Sequence, residues 1–226
     1  MSHAVSTHYQ IPQPSFARLC QAALYVDRAI AFTRNQQPMS NSRIAELTVL
    51  ADELCAFCAV LDSTPPKGYL QDGFLSLLAP QCMARSALFI ILDPSTCPEK
   101  IGTGAGYITS TDAKTSAELN LQAYSINIIQ QVSQQAQNFI KEIMSMVDME
   151  AQLGRVSPFI LHYMYCTIAT FYWFLGENGK ESYQARIYEL GMFLEKMGTR
   201  WKLAEKYMEL VKFYDVSERS RNFPSR

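Results

Sequence analysis

The feature that most constrains the fold is an uncharged run at positions 157–176, which reads SPFILHYMYCTIATFYWFLG. Apolar or aromatic residues occupy every face of a helix drawn through this run, and such a helix is either the centre of a core or a membrane span. The polar residues His162, Thr167 and Thr170 interrupt the run, and its aromatic residues occur throughout rather than at the two ends. The run therefore predicts a buried core helix over residues 157–175, with a membrane span as the alternative.

The ends of this core helix and of the helix before it are marked by turn-forming residues. Ser157 can cap the core helix, Pro158 suits its first position, and Gly176 with the polar residues after it marks the end. The preceding helix is predicted over residues 116–149, where glutamines cover the solvent side of an apolar stripe, and Gly154 is its predicted stop.

Amphipathic helices are predicted on both sides of the core helix, because apolar residues recur there at steps of three and four. Four helical segments precede it, starting near residues 15, 41, 74 and 116. Two follow it: a sixth helix that Gly198 closes and a seventh that Thr199 caps. The apolar side of the seventh helix is predicted at Leu203, Tyr207, Leu210 and Tyr214.

The third helical segment contains a proline and is followed by a loop. Pro80 is predicted to lie in the first turn of a helix that ends near Leu92, although residues 87–92 alone also fit a buried strand. Residues 94–115 form a long irregular stretch with glycines at positions 102, 104 and 106. In a nucleotide-binding turn the glycines stand immediately before a helix, and these glycines do not. A surface loop is therefore predicted.

The fold class predicted from these segments is all-α. About seven helices, without a convincing strand or an internal repeat, indicate a single bundle around the aromatic-rich helix at residues 157–175. Residues 1–14 are predicted to be a disordered lead, residues 15–215 one helical domain, and residues 216–226 a frayed tail.

The charge balance argues against a protein that holds nucleic acid by its phosphates. The formal net charge is −1, and from Arg155 onward eleven Lys and Arg stand against eight Asp and Glu. Phosphate contacts dominate the affinity of DNA-binding proteins, and such proteins normally carry a basic excess. Direct nucleic-acid binding is therefore not expected.

The cysteines indicate reduced, intracellular thiols. The chain has 6 cysteines, most of them among apolar residues, and its first fifteen residues lack the apolar segment of a secretory signal. Cys55 and Cys58 form a CxxC pair, but a zinc site needs further ligands at suitable spacing. We expect these thiols to be core residues one helical turn apart, and we expect neither a metal nor another cofactor.

Catalytic motifs are absent from the sequence. It contains no GxSxG, no HExxH, no P-loop and no Asp-rich metal motif, and His162 is expected to be a hydrogen-bonded core residue rather than a general base. An enzyme is therefore not expected. One alternative stays open, an all-α small-molecule-binding protein or biosynthetic enzyme with an aromatic pocket. The candidate pocket residues are Tyr163, Tyr165, Tyr172 and Trp173.

One stretch begins with Ser157, Pro158 and Phe159 and opens an aromatic-rich helix, and another contains Arg200, Trp201 and Lys202 and opens the final helix. These two stretches resemble the C-terminal end of the fungal-specific transcription factor regulatory region. Two earlier stretches, PSFARLCQAALYVDRAIAF and LAPQCMARSALFIILDPSTCPE, are similar to earlier helices of that region. The resemblance covers residues 14–215.

This resemblance implies a regulatory and interaction module rather than a DNA reader. Members of the family usually begin with a zinc cluster of six closely spaced cysteines, whereas the cysteines here are spread from Cys20 to Cys166. The chain therefore resembles the C-terminal part of such a regulator, without the zinc cluster. The implied partners are a second copy or another transcription factor, with a small-molecule effector as a further option, and the implied location is the nucleus. The second alternative is a membrane-associated protein that spans the bilayer at residues 157–175.

Overall fold

The described part of the chain forms seven α-helices and contains no strand, which confirms the all-α fold class. The computed structural model describes residues 15–35, 39–63, 70–96, 115–146, 153–178 and 181–222. The helices are α1 (Ser15–Arg34), α2 (Asn41–Ser63), α3 (Leu70–Thr96), α4 (Ser116–Met146), α5 (Ile160–Asn178), α6 (Glu181–Gly198) and α7 (Lys202–Asn222). A 3-10 turn, Leu153–Arg155, precedes α5. The predicted disordered lead, the glycine loop and the last residues of the tail lie outside the described residues.

The helices fall into two compact units, and each unit has its own buried apolar residues. Unit 1 contains α1, α2, the part of α3 from Pro80 onward and the part of α4 up to Ile129. Unit 2 contains the beginning of α3, the part of α4 from Gln130 onward, and all of α5, α6 and α7. One helical domain over residues 15–215 stays a prediction.

Burial does not single out α5 as the central helix. Buried residues of α5 recur from Ile160 to Phe174. However, seven residues between Ile160 and Leu175 are only half-buried. Between Leu77 and Leu92 of α3, only Ala79, Met83 and Ile90 are not fully buried. The prediction that residues 157–175 are the most buried element is therefore wrong. Aromatic side chains are large, and a helix that carries many of them covers its neighbours while remaining partly exposed itself.

The helix with the composition of a membrane span is α3. In the described residues, Leu75–Thr96 is long and apolar enough to cross a bilayer, and the span proposed at residues 157–175 does not meet that criterion. The threonines, histidine and tyrosines of α5 lower its hydropathy, and the membrane alternative stays a prediction. In α3, 72% of the most apolar window is buried inside the protein, and the core helix of a soluble protein passes the same test.

Proline lies inside α3 rather than in its first turn. The helix begins at Leu70, so Pro80 and Pro94 are both interior positions, and residues 87–92 are helical rather than extended. A proline in a helix interior removes one backbone hydrogen bond and usually kinks the helix. Buried side chains on both sides of Pro80, such as Leu78 and Cys82, offset this cost by packing.

The bounds of α5 differ from the prediction by three residues at each end. The Ser157 hydroxyl accepts the Phe159 N–H at 3.4 Å, and the Ser157 carbonyl accepts the Ile160 N–H at 3.2 Å, so a turn precedes the helix. Gly176 does not stop α5, which continues to Asn178. Such offsets are usual where the first and last turns of a helix fray.

The apolar face of α7 is rotated from the predicted one. Ala204 and Val211 are buried, whereas Leu203 and Leu210 are 50% and 47% exposed. The buried pair keeps helical spacing but is shifted by one residue, because the small Ala204 permits close approach to the neighbouring helices. The side chain of Tyr214, the fourth predicted position, lies outside the part of the chain that the structure describes.

Thr199 does not cap α7. Its hydroxyl donates to the Lys196 carbonyl at 2.8 Å and so belongs to the end of α6. The first turn of α7 is closed instead by the Ala204 N–H, which donates to the Trp201 carbonyl at 2.8 Å.

A capping box fixes the start of α4. The Glu118 N–H donates to the Thr115 hydroxyl at 3.2 Å, and the Thr115 N–H donates to the Glu118 carboxylate at 2.8 Å. This reciprocal pair satisfies two donors that the first turn would otherwise leave unpaired. On the same helix, Gln131, Gln134 and Gln135 are exposed, which confirms the predicted solvent face.

We expect Thr115→Ala to lower the free energy of unfolding by about 1 kcal/mol, because the hydroxyl no longer accepts from the Glu118 N–H or donates to the Glu118 carboxylate, a contact of 2.9 Å. Thr115→Ser keeps the hydroxyl and should retain most of that stability. Urea unfolding followed by circular dichroism measures both variants. Equal stability of the alanine and serine variants would contradict the role assigned to this cap.

Candidate functional site

A groove of about 510 Å³ lies on helices α5, α6 and α7 of unit 2. We call it the α6 groove, because residues of α6 form most of its length. Its lining residues are Tyr172, Leu175, Gln184, Ile187, Tyr188, Gly191, Met192, Glu195, Met208, Val211 and Lys212.

The walls of the α6 groove are apolar and open to solvent. Tyr188 is 68% exposed and Met192 is 40% exposed, which is unusual for large apolar side chains that follow one another along a single helix face. Burying such surface against a partner would be favourable in proportion to the area removed from water. The groove therefore has the character of a contact surface.

Gly191 lies midway along the groove, and because it has no side chain the groove is deeper there. A Cβ atom added there would meet only the Met208 Cε atom, at 3.9 Å, within the described structure. Glycine in a helix interior costs about 1 kcal/mol relative to alanine. Packing within the described structure does not require a glycine here, so the space above it stays available to another molecule.

Two opposite charges stand on the rim of the groove. Glu195 of α6 and Lys212 of α7 are both exposed, and neither forms a salt bridge with another residue of the described part of the chain. The exposed carboxylate and ammonium give the rim one group of each sign, while the apolar residues lie between them.

Of the four aromatic residues predicted to line one pocket, Tyr163 lies in the interior. Its side chain is fully buried, its hydroxyl donates to the Val132 carbonyl at 2.6 Å, and its ring meets Phe139 edge-on at 6.0 Å. The hydroxyl therefore links α5 to α4 within unit 2.

The other three aromatic residues have different surroundings. Tyr165 stacks on Tyr207 of α7 with ring centroids 4.7 Å apart, and Trp173 packs on Phe174 at 4.9 Å. Tyr172 is the one of the four that lines the α6 groove. Tyr165 and Tyr172 are seven residues apart and share one side of the helix, but they are separated by about two turns. Tyr163 lies on the opposite side and Trp173 about a quarter turn away, which is why the set does not converge.

The two motifs that carry the family resemblance lie close together. A Cβ atom on Gly154, just before Ser157, would lie 3.2 Å from Arg200 Nε, so the Arg200 guanidinium packs on the 3-10 turn. The same guanidinium lies 5.5 Å from the centre of the Trp201 ring, a cation–π contact. Trp201 Nε1 is buried and has no hydrogen-bond partner within the described residues.

The remaining motif residues lie nearer the surface. Phe159 is 47% exposed, Lys202 is exposed, and Pro158 is half-buried. Thus the motifs form a junction between the 3-10 turn and the start of α7, and the α6 groove is formed by the helices that follow them.

His162 has surroundings that disfavour its charged form. Burial lowers its pKa, its ring meets Tyr207 edge-on at 6.2 Å, and Cys166 Sγ lies 3.7 Å from its Nε2 atom. A neutral imidazole in these surroundings is consistent with the predicted core histidine.

Burial disfavours the ionised form of both CxxC thiols. Burial raises the pKa of Cys55 to about 11 and that of Cys58 to about 12. Both thiols are therefore protonated at neutral pH, whereas the thiolate is the ligand and nucleophile. The described residues contain no group of three His, Cys, Asp or Glu side chains arranged to hold a metal ion.

A second concavity, of about 590 Å³, lies on α1 and α2 of unit 1 and contains two arginines. Arg43 donates to the Phe32 carbonyl at 2.8 Å and to the Asn35 carbonyl, so it caps the end of α1. Arg28 pairs with Glu53 at 2.6 Å. Both guanidinium groups serve contacts between the helices, which leaves the α6 groove as the stronger candidate.

Sequence reasoning missed the α6 groove. The buried stripe of α6 was predicted from its apolar spacing, and Tyr183, Ile187, Leu190, Leu194 and Met197 are indeed buried. The missed signal is a second apolar series, Tyr188 and Met192, on the side of the helix that the first stripe does not need. Gly191 next to it is the other signal.

Comparison with protein-family models, with curated proteins and with solved structures finds no match to this chain. The resemblance to the fungal regulatory region therefore stays a prediction.

Proposed function

We propose that this chain is a non-catalytic interaction module of the transcription-regulator type, which acts through protein partners and does not bind DNA directly. The observation that carries the proposal is the open, apolar α6 groove. Two of the three helices that form it begin at the motifs that carry the resemblance: Ser157 to Phe159 precede α5, and Arg200 to Lys202 stand at the start of α7.

The groove suits a protein surface. Tyr188 and Met192 offer large apolar contacts, and aromatic and methionine side chains are enriched at protein interfaces. Methionine also adapts its shape to different partners. The partners we propose are a second copy of the chain or another transcription factor, and the proposed compartment is the nucleus.

A small-molecule effector is the second candidate. The volume of about 510 Å³ lies within the roughly 300–1,000 Å³ that ligand pockets occupy, and Gln184, Glu195 and Lys212 provide polar groups at its edge. Binding of an effector would raise the melting temperature of the wild-type protein but not that of a groove variant.

A reporter assay tests the proposed function. We expect the full chain, fused to an unrelated DNA-binding domain, to change transcription of a reporter that carries the matching operator. Tyr188→Lys places a charge in the groove at a position that is 68% exposed, so the fold should persist while the effect on transcription is lost. Leu119→Lys on α4, at a position that is 52% exposed, is the matched control and should behave as wild type.

Two results would overturn the proposal. One is a fusion that leaves transcription unchanged. The other is a shift of duplex DNA at physiological salt by the purified chain without a fused domain. No such shift is expected, because DNA affinity depends largely on basic residues that contact phosphates, and the net charge of this chain is −1.

A further inference from the structure

Helices α6 and α7 run antiparallel in a definite register. A Cβ atom at Gly198 would lie 3.4 Å from Glu205 Cγ, and one at Gly191 would lie 3.9 Å from Met208 Cε. Lys212 follows Met208 by about one turn, so it lies level with residues 187–188 of α6. The positive charge therefore stands toward the start of α6, and Glu195 stands toward its end.

Gly191 divides the exposed side of α6 into two nearly equal halves. Glu195 lies four residues after it, and Tyr188, with Lys212 beside it, lies three residues before it. At a rise of about 1.5 Å per residue, these positions are roughly 6 Å and 4.5 Å from Gly191 along the axis. A two-fold axis near Gly191 would thus exchange the acidic end of one copy with the basic end of the other.

We propose that the α6 groove binds a second copy of this chain, with the two α6 helices antiparallel across a two-fold axis near Gly191 and with Glu195 of each copy facing Lys212 of the other. This inference rests on the proposed function, since it names the partner of the interaction module.

Three properties of the groove fit a second copy better than an unrelated partner. An isologous contact must be self-complementary, and a rim with one group of each sign on opposite sides of the axis meets that condition. The exposed Tyr188 and Met192 of each copy supply both the protruding side chains and the apolar walls that receive them. Glycine at the axis permits close approach of two helix backbones.

A charge-swap experiment tests the arrangement. Glu195→Lys and Lys212→Glu should each weaken dimerisation roughly tenfold in sedimentation equilibrium, because symmetry replaces two attractions by two repulsions. The double variant restores opposite charges and should dimerise with nearly the wild-type Kd. Glu177→Lys on α5 and Lys141→Glu on α4 change the net charge equally at exposed positions outside the groove and should have little effect.

A second pair of variants tests the close approach at the axis. Gly191→Gln adds a long side chain where the helices meet and should lower dimer affinity at least tenfold, while the absence of a clash at that position lets the monomer fold. Ala185→Gln adds the same side chain at an exposed position of α6 outside the groove and should leave the Kd unchanged. Circular dichroism of both variants checks the fold.

The outcomes separate this inference from the proposed function. A dimer that tolerates the single charge reversals and Gly191→Gln overturns the inference, as does a wild-type chain that stays monomeric. In either case the reporter assay still decides whether the chain acts through another protein. Weakening by the single reversals and recovery in the double variant support the two-fold arrangement.

Discussion

Asp62→Ala is expected to lower the free energy of unfolding by about 3 kcal/mol, since it removes the carboxylate that pairs with a buried arginine. The Arg85 Nη2 atom lies 2.8 Å from both carboxylate oxygens of Asp62, and the Arg85 side chain is only 1% exposed. Breaking a buried pair by removing one partner typically costs about 3–5 kcal/mol. We expect the lower end of that range because Asp62 itself is 38% exposed.

Urea unfolding of Asp62→Ala at neutral pH measures this effect. Asp27→Ala on α1 removes an exposed carboxylate and is the matched control, with an expected change within about 0.5 kcal/mol. The double variant Asp62→Ala with Arg85→Met removes the buried charge as well and should recover much of the loss. A single variant as stable as the control would show that the pair contributes little.

Tyr163→Ala is expected to lower the free energy of unfolding by about 3–5 kcal/mol, the range for removing a buried aromatic ring. The side chain is fully buried, packs edge-on against Phe139 and donates its hydroxyl to the Val132 carbonyl. Tyr163→Phe keeps the ring and removes the hydroxyl, so it should cost only about 1 kcal/mol.

The difference between the two Tyr163 variants separates packing from hydrogen bonding. Phe159→Ala, at a position that is 47% exposed just before α5, is the control and should change stability far less. Equal losses for Tyr163→Phe and Tyr163→Ala would mean that the hydrogen bond to Val132, rather than the ring, holds α5 against α4. Trp173, one of the predicted pocket residues in the same helix, is only half-buried, so its replacement would test the packing of α5 less directly.

The fold class was predictable from the sequence because helical periodicity is a local property. Apolar residues at steps of three and four located α1, α2, α4 and α6, and α1, Ser15–Arg34, begins at the predicted residue. Glycine and proline were less reliable markers. Pro80 and Gly176 lie inside helices, since packing against other helices can outweigh the local preference of one residue.

The candidate site was not predictable from the same signals. An apolar helix such as α5 could be recognised, but which of its aromatic residues reach a groove depends on the helices beside it. Only Tyr172 of the four predicted pocket residues does so. The face of α7 that is buried was likewise set by its neighbours, which selected Ala204 and Val211 over Leu203 and Leu210.

By itself the sequence determined that the described chain is helical, where α1, α2 and α4 begin, and which side of α6 is buried. These follow from spacing, caps and burial of apolar stripes, which act within one or two turns of a helix. Tertiary structure alone decided that Arg85 meets Asp62, that Arg200 packs on Gly154, and that Tyr188 and Met192 border an open groove. These contacts join residues distant in sequence, or depend on which surface remains uncovered, and no local pattern encodes either.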